Sequence, residues 1–198
     1  NVVAVIDPVI TLALLVAAAV SLKRDGSGAA AVGGAAAISY LFAGAIAHDR
    51  AEWVARSLAS ERGHIVESVQ VKPTLGNHLV WRSVYKANGR YWVDAVRTGY
   101  FSTAMAYPGT SIAALDVGAL GTLTERQQAD IERFTRLSSG YVVNHPSRRR
   151  VVADIRYAMQ PDSDEPLWGI KLSNAGSDDP EVEWRTFREL DELGIHRF

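Results

Sequence analysis

The chain has 198 residues, a formal net charge of −1 and 47% hydrophobic residues, which suits one or two ordinary domains. It contains no cysteine, so disulfide and thiolate chemistry are excluded. A pI near 6.6 argues against a nucleic-acid binder, because phosphate binding needs a basic field over a whole face.

The sequence opens NVVAVIDPVITLALLVAAAV, without a basic n-region or a small-residue cleavage site. It therefore reads as a cut or processed chain rather than as a signal peptide. The uninterrupted apolar run is Val9 to Leu22, behind Asp7-Pro8, and makes a short membrane span or most of one. Asp7 suits a helix N-cap with Pro8 at the first helical position. As an ionisable group beside a span it is also a candidate metal ligand.

From Gly26 to Ala47, 22 residues pass without a charged side chain, and a bilayer core needs about 20 in a helix. The alternative is a buried helical hairpin of a soluble protein, since Ala and Gly dominate. Small residues four apart, such as Ala30 and Gly34, let helices approach closely, so partner helices are expected. The formal G-x-G-x-x-A match at Gly26 to Ala31 follows Lys23-Arg24-Asp25 instead of a strand, and lacks the context of a dinucleotide site. His48-Asp49 closes the span, either as a metal or proton-relay pair or as the polar end of a helix. HDRAEWVARSLASERG then continues as an amphipathic helix to Gly63, with Trp53 suited to headgroup level. Two basic residues before the second span, Lys23 and Arg24, against Arg50, Arg56 and Arg62 after it leave orientation undecided.

From His64 the pattern turns to strands. HIVESVQV, HLVWRSVYKA and RYWVDAVRT are rich in β-branched and aromatic residues, and Asn88-Gly89 is a hairpin turn. In the second of these, Trp81 shares a face with Leu79 and Tyr85. Arg82 points the other way, toward a partner such as Asp94 or Asp154. Thr122-Leu-Thr-Glu125 reads as a capping box, and Ile131, Phe134 and Leu137 continue a helix that Ser138-Ser139-Gly140 stops. YVVNHPSRRRVVADIRYAM reads as a second hairpin, LWGIKLS as a strand and WRTFRELDEL as a closing helix. Arg148, Arg149 and Arg150 at the hairpin tip suit either an anionic headgroup or plain solvation. The expected fold class is α+β: two transmembrane helices in residues 1–63, then a mainly antiparallel β-sheet domain with one or two packed helices in residues 64–198.

There is no H-E-x-x-H, G-x-S-x-G or G-x-x-x-x-G-K-[ST], and the five histidines never fall at a ligand spacing. The segments IDPVITLALLVA, PTLGNHLVWRSVY, RFTRLSSGYVV and DIRYAMQPDSDEPLWGIKL, in that order, resemble the carboxy-terminal part of the YdjM-like (LexA-regulated) inner-membrane metal-dependent hydrolases. The residues that match that pattern are Asn77, Trp81, Arg82, Asp154, Arg156, Tyr157 and Trp168. The resemblance implies a bacterial inner-membrane location, contact with lipid and with upstream transmembrane helices, and a divalent metal that activates water. It also implies that the main ligands sit in a His-Arg-Gly-x-Thr-His-Ser type element on earlier helices, which nothing here matches. Asp7, His48 and Asp49 are this chain's candidates to join such a set. The alternative is a non-catalytic, membrane-anchored binding or sensor module.

Overall fold

The computed structural model describes residues 8–24, 28–74, 79–99, 102–174 and 182–187. Two helices come first, α1 (Pro8–Arg24) and α2 (Gly28–Glu61), of 17 and 34 residues. At 1.5 Å per residue they are about 25 and 51 Å long. They pack as a hairpin whose backbones meet at Gly33, where a Cβ would fall inside the Ala17 side chain. Among the described residues one helical stretch, Ala30–Glu61, is long and apolar enough to cross a membrane, by length and composition. The apolar part of α1, Ile10–Lys23, falls short, so the expected pair of spans is met by one helix of sufficient length.

The first sheet is an antiparallel meander of β1 (Ser68–Pro73), β2 (Val80–Ala87), β3 (Arg90–Arg97) and β4 (Met105–Ala113), in that spatial order. Asn88 and Gly89 turn β2 into β3 with φ of 54° and 70°, the left-handed pair that a two-residue hairpin requires. Strand β4 contains Pro108, tolerable because β4 lies at the sheet edge and pairs only with β3. The ladder slips at Val93/Asp94, where the Gly109 N–H donates to Asp94 Oδ1 at 3.0 Å.

Helix α3 (Glu125–Leu137) starts from Thr124, whose hydroxyl accepts from the Gln127 N–H while the Gln127 side chain accepts from the Thr124 N–H. The box is therefore Thr124/Gln127, two residues beyond the expected Thr122/Glu125. Ser139 and Gly140, with φ of 52° and 82°, end it as the sequence suggested. The second sheet is another antiparallel meander: β5 (Val142–Asn144), β6 (Val151–Asp154), β7 (Trp168–Lys171) and β8 (Glu183–Thr186). The expected closing helix is corrected here. Trp184 to Thr186 belong to β8, with Trp184 paired to Ile170 and its ring stacked on Trp168 at 5.6 Å, and residues 188–193 lie outside the described residues.

These elements form four layers. The second half of α2 buries Ala47, Ala51, Val54 and Ala55 against Val71, Trp81 and Val96 on one face of the first sheet. The opposite face presents Val84, Tyr91 and Val93 to Val143, Val151, Ala153 and Ile155 of the second sheet. The far face of that sheet carries Val142, Val152 and Ile170 against Ile131 and Phe134 of α3. Period-2 alternation thus makes both sheets two-sided, with an apolar layer on each face. Helix α2 joins residues 1–63 to residues 64–198 by taking part in both, since its first half lies in the hairpin and its second half is a layer of the sandwich.

Candidate functional site

Strand alternation explains where the residues of the resemblance go. Trp81 faces α2, fully buried, donating from Nε1 to Thr98 Oγ1 at 2.9 Å, with the His48 ring edge-on at 5.7 Å. Arg82, one residue on, faces the other way and is 5% exposed. It does not pair with Asp94 or Asp154. Its guanidinium instead donates to four backbone carbonyls, those of Ile155 at 2.8 Å, Gln160 at 3.2 Å, Pro161 at 3.0 Å and Ser163 at 2.8 Å. Burial pushes Arg82 down to about 10, with Asp162, Asp164 and Asp154 opposing the shift.

Those carbonyls belong to the β6–β7 connection, residues 155–167, which Arg82 holds across the first sheet. Tyr157 meets Lys72 of β1 through its hydroxyl, Arg82 of β2 takes the middle, and Asp162 lies against Gly109 of β4. Gly109 is needed there, because a Cβ would sit 2.6 Å from the Asp162 carbonyl oxygen. At the start of the connection, Arg156 makes a fork with Asp154, Nη2 to Oδ2 at 2.6 Å and Nε to Oδ1 at 2.9 Å. Its Nη2 also donates to the Leu137 carbonyl at the end of α3, at 3.3 Å. At the far end Trp168 lies 6.3 Å from Tyr157, 5.3 Å from Phe134 and stacked on Trp184. The fold therefore brings Arg82, Asp154, Arg156, Tyr157 and Trp168 onto one segment and leaves Trp81 on the opposite face of the sheet. Asn77 lies outside the described residues.

A second polar centre was not visible in the sequence. Arg62, just past α2, donates to both oxygens of the buried Asp94 at 2.7 and 2.8 Å and to the Tyr85 hydroxyl at 2.9 Å. Hydrogen bonding to Asp94 raises the Arg62 pKa in spite of burial. The Tyr85 hydroxyl also lies 2.9 Å from His64 Nδ1, within hydrogen-bond reach. An Asp on the buried face of a strand was the available signal, since such a group demands a partner.

Among the described residues the candidate metal ligands make no centre. Asp7 lies outside the described residues. His48 Nδ1 is 3.4 Å from Asp49 Oδ1, the Asp49 side chain is 86% exposed, and the imidazole is engaged by Trp81. Among the described residues no group of three His, Cys, Asp or Glu side chains could hold a metal ion. The pair does not fit the three-ligand minimum of a catalytic divalent metal. Of the three arginines in the β5–β6 loop, Arg150 is committed inward, donating to the carbonyls of Leu120 at 2.5 Å, Ser173 at 2.7 Å and Thr122 at 3.3 Å. Arg148 lies over the Phe187 ring at 4.9 Å, and Arg149 is exposed.

A cavity of about 190 Å³ opens between α3 and the β7–β8 strands, lined by Arg126, Asp130, Arg133, Phe134, Ile170, Val182 and Trp184. Its lining sets three charged side chains beside four apolar ones, and Arg133 pairs with Asp130 at 2.7 Å. It can hold a small amphipathic molecule but brings no nucleophile and base together. No protein family, curated protein or solved structure matches the chain.

Proposed function

We propose that this chain is the membrane-anchored, substrate-positioning part of a metal-dependent hydrolase of the bacterial inner membrane, the activity its sequence resemblance implies. The observation that carries the anchoring is the nakedness of the hairpin. Leu12, Leu15, Val32, Ile38 and Phe42 are between 63 and 71% exposed, which a core hairpin of a water-soluble protein would not tolerate. The stretch Gly28 to Ala47, rising 1.5 Å per residue, spans about 30 Å, the thickness of a bilayer's hydrocarbon core.

Support for a positioning role comes from the convergence of Arg82, Asp154, Arg156, Tyr157 and Trp168 on residues 154–168. These residues fix a long connection that would otherwise move, and a fixed loop is what orienting a substrate needs. On this reading the water-activating metal belongs to residues other than the described ones. The test uses the full chain, with any sequence encoded ahead of Asn1, in proteoliposomes supplied with ester and phosphoester substrates. Turnover that a chelator abolishes and Arg82→Met diminishes is the expected result. Chelator-indifferent turnover, or none with either substrate class, would overturn the reading.

A second reading, a membrane-anchored binding or sensor module without catalysis, is favoured by one observation: the cavity of about 190 Å³ between α3 and the β7–β8 strands. Saturable binding of a small amphipath that Trp184→Ala abolishes, without turnover, would support it.

A further inference from the structure

We propose that the end of the sandwich bearing Leu79, Gly99, Ser102 and Met105 is a lipid-contact surface, seated in the headgroup layer around the point where α2 emerges. This rests on the reading of α2 as a membrane span. Arg50 lies three residues after Ala47, the last residue of the uncharged run, or about 4.5 Å further along the helix axis. Its guanidinium donates to the Gly99 carbonyl and the Ser102 carbonyl, both at 2.6 Å. Gly99 and Ser102 are thereby fixed at the height of Arg50. The polar layer on each side of a bilayer is about 5–7 Å deep, so residues held at that height lie within it.

The side chains around this end suit that position. Leu79 precedes β2 and is 40% exposed; Met105 opens β4 and is 57% exposed; Tyr107 follows at 45%. The Leu79 carbonyl accepts from the Thr98 N–H at 2.7 Å, which ties Leu79 to the end of β3. Helix α2 runs along β2, with His48 beside Trp81 at one end and His64 beside Tyr85 at the other. The β2–β3 turn therefore points away from the bilayer, about 26 Å from Val80 across the eight residues of β2.

The absence of cysteine makes the test direct. Single variants Leu79→Cys, Met105→Cys, Ala113→Cys and Phe42→Cys of the full chain are labelled with a small fluorophore and reconstituted in phosphatidylcholine–phosphatidylglycerol vesicles. Quenching by lipids with a nitroxide on the headgroup is compared with quenching by lipids with a nitroxide in the acyl chain. Ala113, at the far end of β4 opposite Arg90, is the distant control. The expected result is several-fold stronger headgroup quenching at Leu79 and Met105 than at Ala113, with Phe42 quenched from the acyl chain. Equal headgroup quenching at all three sandwich positions, with Phe42 still quenched from the acyl chain, overturns the surface and leaves the span standing. A Phe42 label that the acyl-chain quencher does not reach overturns both.

Discussion

Arg82 offers the sharpest perturbation, because one side chain fastens one segment. Arg82 is 5% exposed; its Nη2 donates to the Ile155 carbonyl, and the two N–H of its Nη1 are shared among the Gln160, Pro161 and Ser163 carbonyls. Arg82→Met keeps the volume and removes every donor. Gln160, Pro161 and Ser163 lie in the solvent-facing connection and can rehydrate, but the Ile155 carbonyl is under the sheet. Charged hydrogen bonds contribute about 1.5–3 kcal/mol each and orphaned buried groups cost about 1–3 kcal/mol, while release from the burial cost of the charge offsets part of the loss. The net expectation is a destabilisation of about 3–4 kcal/mol, concentrated in residues 156–163. Arg82→Lys should lose roughly half as much, since a compact ammonium cannot reach Ile155 and Ser163 with the geometry of a fork. Urea unfolding of the full chain in detergent micelles gives the total, and amide hydrogen exchange locates it. A change under about 1 kcal/mol for Arg82→Met, with exchange at 156–163 unaltered, would refute the clamp.

Asp94→Asn should cost about 3–5 kcal/mol in the same unfolding assay, because it strips Arg62 of its carboxylate inside the α2–sheet interface; a loss below about 1 kcal/mol would count against the pair. Gly33→Leu should lower thermal stability in micelles by forcing α1 from α2, an overpacking cost of about 1–3 kcal/mol, whereas Gly34→Leu, with nothing within 4 Å of its Cβ, should be silent; equal effects would refute the close approach. Burial holds the His145 pKa below its ordinary value, with Glu165 opposing and Arg148 adding to the shift. The unfolded chain then binds the extra proton first, so stability should fall as pH drops through the window just beneath about 6.5. His145→Gln should flatten that slope, and an unchanged pH profile would contradict the assignment.

Legibility in the sequence followed the range of the interactions. The hairpin β2–β3 could be read because alternation and Asn88-Gly89 are local signals that agree with each other. Trp81 and Tyr85 went to the buried face for the same reason. Strand β4 escaped notice because Pro108-Gly109 breaks the strand pattern, and only an edge position makes that pair tolerable. The segment at Trp184 has helical spacing, yet stacking of Trp184 on Trp168 and pairing with β7 override it. The partners of Arg82 were illegible for a different reason. They are backbone carbonyls 73 to 81 residues away, and no side-chain pattern announces a carbonyl cage. Arg62 and Asp94 are 32 residues apart and meet only once α2 lies along the sheet.

The account depends on α1 and the first half of α2 residing in lipid while the sandwich built on the second half of α2 stays outside the hydrocarbon core. Alkaline carbonate extraction of membranes from cells expressing the full chain tests this directly, with protease protection of the sandwich as the second readout. The prediction is a chain retained in the membrane pellet, with the sandwich open to protease from one side of the membrane only. A chain freed into the supernatant, and monodisperse there without detergent, would contradict it.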